Sequence, residues 1–338
     1  MDSWSYFKNE FINLGGTVEN LTCRAGNNGR GIFREGNNNK PQILCPTKLL
    51  VKTKDITLID GNFRLKHGSN YSKETREFIE NYYQKFSWGE SDIKETRKFH
   101  EEMLELPQEA KAFLTENKLY SINSLECNSS QKLSLQRFIN SRSVSFQNKT
   151  VLAPVWELVN HSPFASGFKT SKNGLETPFY PTGNETTEIV FAYKIRASPM
   201  SMFFHYGFAS DEIFAYSLPA EIKISDKDLT IKIEGNHRGV EASDKEISLE
   251  KNILTIPALP IGSISRQLPM AFFYSIIRKH GISKSKAYSL IKELQEANLE
   301  QRRNLKKLLG ANLNDTAKAL AKSIDIEIQL IKSSLKAL

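Results

Sequence analysis

The hydrophobic pattern of this 338-residue chain changes its period three times, and the order of these changes limits the folds open to it. After a helical start, short β-type segments broken by glycine and asparagine run to about residue 65. Helical patterns then occupy about 65–150, short strands return over about 150–260, and helices follow residue 263. This order predicts an α+β protein, with short strands and a helical insertion in one β-rich domain and a mostly helical C-terminal domain.

The composition is that of an ordinary globular protein, with 39% hydrophobic and 25% charged residues. No apolar run approaches the roughly 18 residues of a membrane span, and the N-terminus has no pattern of a secretory signal. The cysteines at 23, 45 and 127 are too scattered for a disulfide framework or a structural zinc site. These features predict a cytoplasmic protein without a bound metal, although a nuclear location is not excluded.

The net charge of +8 is concentrated at the C-terminal end. From Ser263 to Leu338 there are 14 Lys and Arg against 6 Asp and Glu, so this segment carries the whole excess. A basic helical tail can bind nucleic acid or an acidic protein surface. A solvated helix face explains the same charge without a ligand, and it is the interpretation we favour.

Five short motifs stand out by their order along the chain. They are Gly29–Phe33, Asn140–Ser143, Leu152–Ser162, Thr186–Tyr193 and Tyr206–Phe208. Each has an ordinary explanation when taken alone: a tight turn, a helix end, a satisfied core histidine and aromatic residues packed on strands. Their order is more informative than any one of them.

Taken in order, the motifs resemble the SET-domain methyltransferases. The similarity is to the branch with the Rubisco large-subunit lysine methyltransferases and the actin-histidine methyltransferase. GRGIF resembles the glycine-rich turn of that branch, and Ile43–Val51 its following "vP..ll" segment. Ser141–Arg142 is similar to its "SR" helix end, Leu152–His161 to "L.P..D..NH", and Thr186–Tyr193 to "GEE...sY". The family's "YGF" follows about thirteen residues later, as Tyr206–Phe208 does here.

The resemblance implies a SET domain over 1–218, with its helical insertion at about 65–148. It implies that 219–338 forms a helical substrate-binding domain, and that residues 263–338 choose the target. The implied function is transfer of a methyl group from S-adenosylmethionine to a side chain of another protein. Because no cysteine-rich zinc site flanks the motifs, a non-histone target is favoured. The oligomeric state is left open.

The family's functional residues are carried over by motif. The resemblance implies that Tyr193 is the catalytic tyrosine and that Tyr206 lines the methyl-transfer channel. It also implies that S-adenosylmethionine is bound by Gly29, Arg30, Gly31, Arg142, Asn160, His161 and Phe208. Methyl transfer from a sulfonium needs positioning of the acceptor rather than a metal. Two residues beyond the "SR" arginine, Val144 stands where the histidine-methylating relative has asparagine, which favours lysine as the acceptor.

The departures from the family pattern leave alternatives open. Thr186 and Thr187 replace the glycine and first glutamate of "GEE", and Lys194 replaces the glycine after the catalytic tyrosine. These changes favour the alternative of a SET-like protein that does not catalyse and serves as an interaction module. A rival alignment makes Tyr206 the catalytic tyrosine, but only Tyr193 satisfies the spacing to YGF. Nucleic-acid binding through the basic tail, and a different enzyme with His161 or His205 as general base, rank below these interpretations.

Overall fold

The computed structural model of the chain describes residues 2–26, 29–36, 40–87, 89–120, 130–177, 187–194, 196–235, 247–311 and 313–338. Packing divides the chain into two compact units. The first contains Met1–Lys98 and Asn128–Tyr193, and the second contains Phe99–Cys127 and Lys194–Leu338. The predicted domain boundary at residue 218 stays a prediction, since packing alone groups 194–218 with the second unit.

The strands are short, as the sequence predicts. They are β1 (Thr17–Glu19), β2 (Leu21–Gly26), β3 (Gly29–Arg34), β4 (Gln42–Pro46), β5 (Val51–Lys52), β6 (Ile56–Ile59), β7 (Asn62–Leu65), β8 (Val144–Phe146), β9 (Lys149–Leu152), β10 (Asn160–His161), β11 (Lys169–Ser171), β12 (Gly174–Glu176), β13 (Glu188–Phe191), β14 (Phe214–Tyr216), β15 (Ala220–Ile224), β16 (Leu229–Ile233), β17 (Ser248–Glu250), β18 (Ile253–Ile256) and β19 (Pro260–Ser263).

The helices fall mainly in the predicted insertion and after residue 263. They are α1 (Ser3–Asn13), α2 (Lys73–Tyr82), α3 (Gly89–Leu104), α4 (Gln108–Glu116), α5 (Ser130–Arg142), α6 (Pro199–Tyr206), α7 (Leu268–Ile277), α8 (Lys284–Leu308) and α9 (Asp315–Leu335). A π-helical turn, Tyr83–Ser87, follows α2 directly. The α+β class predicted from the sequence is confirmed. Within the described ranges, no helix is both long and apolar enough to cross a bilayer.

The first helix forms where the apolar spacing predicts it. Trp4, Phe7 and Phe11 recur at helical spacing and form its buried face. The Asp2 carboxylate caps the N-terminus by accepting the backbone N–H of Ser5 at 2.8 Å. The buried face packs on α2 through Phe7 and Tyr82, whose ring centroids lie 5.7 Å apart edge to face.

The core of the first unit lies between small sheets rather than on one large sheet. One sheet has the order β1-β4-β12-β11 and another the order β10-β13-β3-β2. Strands β5, β9 and β8 form a third sheet, and β6 pairs with β7. Short strands of this kind cannot hold a register alone, so their buried residues, such as Ile32, Ile43 and Ile189, fix it by packing together.

The second unit combines strands β14–β19 with the C-terminal helices. Strands β15, β16, β18 and β17 form one sheet in that order, and β14 pairs with β19. Helix α9 packs very closely on β19 at Gly262. A β-carbon at that position would lie only 2.7 Å from the backbone nitrogen of Ile331. Helix α8 begins at its cap Ser283, and α9 begins at its cap Asn314, near the predicted starts.

Two local predictions were wrong. The apolar run of residues 151–159 suggested a strand, but β9 ends at Leu152 and the chain turns sharply at Val155. Tyr206 was expected on a strand, but it is the last residue of α6, a helix capped by Ser198 and opened by Pro199. The sequence also suggests Ser129 or Ser130 as the cap of a helix over 131–140, and Ser129 lies outside the described residues.

Candidate active site

Three adjacent strands of the first unit carry motifs that are far apart in the sequence. Strand β13 pairs with β3, where Ile189 faces Ile32, and with β10, where Val190 faces Asn160. The glycine-rich segment, the Asn-His pair and Glu188–Phe191 of the Tyr193 motif therefore lie side by side. Tyr193 follows the end of β13 by two residues.

The two glycines of the first motif serve different purposes. Gly29 has a φ of +86°, in the left-handed region that favours glycine, and a β-carbon there would meet nothing within 4 Å. A β-carbon at Gly31 would instead overlap the carboxylate of Glu188 and lie 2.7 Å from Nδ2 of Asn160. Gly29 thus borders open space, whereas Gly31 makes room for two polar side chains.

Asn160 links the two neighbouring motifs by hydrogen bonds. Its Nδ2 donates to Oε1 of Glu188 at 2.6 Å and to the backbone oxygen of Arg30 at 3.3 Å. Since a carboxylate acceptor makes the first bond charge-assisted, it is the stronger of the two. The amide therefore holds β10 against both the glycine-rich strand β3 and Glu188 of β13.

His161 is held to Tyr193 through the main chain. Its Nδ1 accepts the backbone N–H of Tyr193 at 3.1 Å, and the two rings lie 5.1 Å apart between centroids. Because Nδ1 is an acceptor here, the ring proton of the neutral imidazole must be on Nε2. The histidine thus orients the backbone that carries the tyrosine.

The hydroxyl of Tyr193 also has a defined partner. It donates to the backbone oxygen of Val159 at 2.9 Å. Burial raises the pKa of this phenol well above its usual value, and the nearby positive charge of Arg142 opposes that rise only in part. The hydroxyl is therefore neutral at physiological pH, and its oxygen keeps lone pairs that can accept a hydrogen bond.

Arg30 and Arg142, the two arginines predicted to bind the cofactor, lie at the edge of the first unit's core. The Arg30 guanidinium donates to the backbone oxygen of Phe86 at 2.6 Å and lies 4.6 Å from the centroid of that ring. Arg142 is the last residue of α5, and its guanidinium lies 4.8 Å from the ring centroid of Phe138. Both contacts are made by the guanidinium group, and neither side chain is fully buried.

Sequence reasoning missed Glu188 and Phe86 as members of this site. Glu188 was matched to the "GEE" motif only through the two threonines before it, although it is the acidic residue that remains there. Phe86 lies in the π-helical turn after α2, and π-turns of this kind often occur near functional sites. No sequence pattern predicts that turn.

A strained turn precedes the Asn-His pair. Val155 has φ +66° and ψ −45°, and the N–H of Trp156 donates to the oxygen of Pro154 at 2.7 Å. This is a γ-turn, and a buried β-branched residue at positive φ is an outlier. The Tyr82 hydroxyl holds the turn by accepting the N–H of Val155 at 2.9 Å.

The other two predicted site residues belong to the second unit. Gly207, with φ +89°, ends α6 directly after Tyr206, and the Tyr206 and Phe208 rings lie 6.0 Å apart between centroids. Lys194 is 7% exposed, and its ammonium lies 5.9 Å from the centroid of the Tyr206 ring. The residue that departs from the family pattern is therefore buried beside a residue implied to line the channel.

The predicted site residues are thus divided between the units. The first unit gathers the glycine-rich, Asn-His and Tyr193 motifs together with Arg142, and the second holds Tyr206 and Phe208. Thr186 lies outside the described residues. In the described part of the chain, no group of His, Cys, Asp and Glu side chains is arranged to hold a metal ion.

Comparison with known proteins gives matches only among solved structures. No protein-family model matches the chain, and no curated protein does. The SET domain of LSMT bound to methyllysine and AdoHcy is 13% identical with a TM-score of 0.46, covering 98% of this chain and 90% of that one. Rubisco LSMT bound to AdoMet is 13% identical with a TM-score of 0.46, covering 100% and 91%. Rubisco LSMT bound to sinefungin and monomethyllysine is 14% identical with a TM-score of 0.45, covering 100% and 92%.

The chain is therefore similar to structures of the family that its motifs resemble.

Proposed function

We propose that this protein is an S-adenosylmethionine-dependent methyltransferase that modifies a lysine side chain of another, non-histone protein. The observation that carries the proposal is the pairing of β13 with both β3 and β10. There Asn160 bonds Arg30 and Glu188, so three motifs that the resemblance assigns to one site are linked by named hydrogen bonds. A chance likeness of motifs would not require them to meet.

The residues of the first unit fit the proposed cofactor. Backbone at Gly29 borders open space, and the Arg142 side chain is only partly buried. S-adenosylmethionine carries a carboxylate that a guanidinium can bind, and main-chain groups at the Asn-His pair would hold its polar atoms. When bound, it supplies the electrophilic methyl group on its sulfonium sulfur.

Tyr193 is suited to orient an acceptor amine. Its hydroxyl donates its proton to Val159, and a phenolic oxygen that donates can also accept an N–H from the amine. That bond would leave the nitrogen lone pair available for attack in line with the methyl group. The raised pKa of the phenol argues against a phenolate base, so the role is positioning.

A lysine acceptor must lose its proton before it attacks. The usual pKa of lysine is about 10.4, and an aromatic, desolvated channel lowers it by disfavouring the ammonium. Val144 stands where the histidine-methylating relative has asparagine. This apolar residue supports lysine rather than histidine as the acceptor. The cytoplasmic location stays a prediction.

One observation favours a second candidate function. The buried ammonium of Lys194 already lies against Tyr206. A chain that fills its own acceptor channel would bind the cofactor without turnover and serve as an interaction module.

The first test is titration calorimetry with S-adenosylmethionine. We expect saturable binding by the wild-type protein and binding about tenfold or more weaker by Arg142→Ala, because a charge-assisted hydrogen bond contributes about 1.5–3 kcal/mol. Arg137→Ala, on the same helix α5, is the matched control and should bind almost as the wild type does. Absence of binding at millimolar cofactor would remove the proposal.

The second test separates the enzyme from the interaction module. A labelled methyl group is offered with a lysate as acceptor, and wild type is compared with Tyr193→Phe. Transfer that the variant loses, with cofactor affinity retained, supports the positioning role. If the wild-type protein binds the cofactor without transferring the methyl group, and Lys194→Gly restores the transfer, the result supports the interaction module instead.

A further inference from the structure

The junction between α7 and α8 is strongly basic. Residues 278–292 contain five Lys and Arg and no Asp or Glu. Arg278 and Lys279 follow α7 directly, and Lys284 and Lys286 lie in the first turn of α8. All four side chains are exposed. We call these four residues the basic corner.

The cations of the basic corner have no compensating charge among the described residues. None of the four forms an ion pair with any of them, whereas Lys306 of the same helix pairs with Asp325 at 2.6 Å. The first turn of α8 holds no acidic residue, and cations there oppose the helix dipole. Folding alone therefore gives no reason for this cluster, since an isolated α8 would be more stable without it.

Acidic residues limit the extent of the positive surface. Glu293, Glu296 and Glu300 are exposed on the following turns of α8. Lys227 also approaches the corner, with its Nζ 3.6 Å from the position of a β-carbon at Gly281, but Asp226 and Asp228 flank it in sequence. The surface is thus short, about two helical turns, and bordered by negative charge.

We propose that the basic corner is the docking surface for a short acidic segment of a partner protein. A long polyanion such as RNA would have to pass the three glutamates, and single-stranded nucleic acid also favours several stacking aromatic residues. Tyr288, 39% exposed and one turn after Lys284, is the only aromatic residue of α8. It suits packing against one apolar side chain of a peptide. Identification of the partner as the methyl acceptor rests on the proposed function, but binding itself does not.

The experiment measures binding of a fluorescent decaglutamate peptide to the full chain by anisotropy. We expect binding that weakens between about 50 and about 200 mM salt, because exposed charges are screened over about 10 Å at 0.1 M. Lys284→Glu with Lys286→Glu should weaken it about tenfold or more. The matched control is Arg303→Glu with Lys307→Glu, on the same helix roughly 30 Å away. Both residues are exposed, and this control should change affinity less than about threefold.

Three results would overturn the proposal. They are no binding at low salt, equal weakening by both double variants, and tighter binding of a single-stranded RNA of the same length than of decaglutamate. Circular dichroism checks that each double variant is folded. Cofactor binding is measured separately, by titration with S-adenosylmethionine. A negative result for decaglutamate therefore rejects the docking proposal without rejecting the methyltransferase proposal.

Discussion

Two glycines separated by one residue give a direct test of the site at the scale of single residues. Gly31→Ala places a β-carbon against Glu188 and Asn160, which must move and lose their 2.6 Å hydrogen bond. We expect a loss of about 1–3 kcal/mol in the free energy of unfolding. Urea denaturation followed by tryptophan fluorescence measures it.

A double-mutant cycle shows whether the clash is the cause. Glu188→Ala removes the closer of the two overlaps and releases the Asn160 amide from its carboxylate partner, so the two changes together should cost less than their sum by about 0.5 kcal/mol or more. Gly29→Ala is the control, since its β-carbon would contact no atom within 4 Å. It should lower the free energy of unfolding only by the cost of a left-handed backbone at alanine, about 1–2 kcal/mol. Strict additivity of Gly31→Ala and Glu188→Ala would mean that the packing at β3 is not what Gly31 serves.

At this scale the sequence predicts candidate site residues more readily than the bonds between them. Gly31, Asn160 and Tyr193 could be named because their motifs have a recognisable order. The bond from Asn160 to Glu188, and that from Tyr193 to His161, depend on the register of β13 against its neighbours. That register is set by long-range packing, which one sequence without aligned relatives does not reveal.

At the scale of elements, helix α6 depends on two other helices. Glu327 of α9 accepts the N–H of Met200 in the first turn of α6 at 3.1 Å. It also binds Arg302 of α8, with Nη2 to Oε2 at 2.7 Å, and both side chains are almost fully buried. The C-terminal helices therefore hold the N-terminus of the helix that ends at Tyr206. Deleting residues 263–338 would remove this support, so point variants test substrate choice better.

We expect Glu327→Leu to cost about 3–5 kcal/mol, because it leaves the Arg302 charge buried without its partner. Arg302→Met with Glu327→Leu should cost less than Glu327→Leu alone. The control is Lys306→Met with Asp325→Leu, a pair 2.6 Å apart between the same helices but about half exposed, which should cost less than about 1 kcal/mol. Urea unfolding monitored by circular dichroism at 222 nm gives all three values. A double variant as unstable as the single one would contradict the argument.

Element boundaries were predictable where a local side chain sets them. Ser72 caps α2 by accepting the N–H of Thr75 at 3.2 Å, as its sequence position suggests. The turn at Val155 could not be predicted, because a β-branched residue favours extended backbone and the hydrogen bond that holds this turn comes from the distant Tyr82 hydroxyl. The same holds for α6, whose aromatic residues suit a strand equally well.

At the scale of the whole molecule, the two units differ in the titratable groups that they bury. In the first unit, burial raises the pKa values of Tyr82, Tyr83 and Tyr193. In the second unit, burial raises the pKa of Tyr216. In the first unit burial also raises the pKa of Cys23 to about 11. A group whose pKa is raised in the folded state stabilises the fold below its unfolded pKa. That contribution is lost as the pH rises through the folded value.

The unfolded chain ionises thiols from about pH 9 and phenols from about pH 10. Alkaline pH should therefore lower the stability of the first unit more than that of the second. Trp4 and Trp156 belong to the first unit, while the two longest of the described helices, α8 and α9, belong to the second. Tryptophan fluorescence and circular dichroism at 222 nm thus report mainly on different units. Between pH 8 and about pH 10.5 the urea midpoint seen by fluorescence should fall further than that seen by dichroism. If the two midpoints stay coincident at every pH, the prediction is wrong. The two units then unfold together in one cooperative transition, and a loss of stability in one unit lowers the midpoint of both.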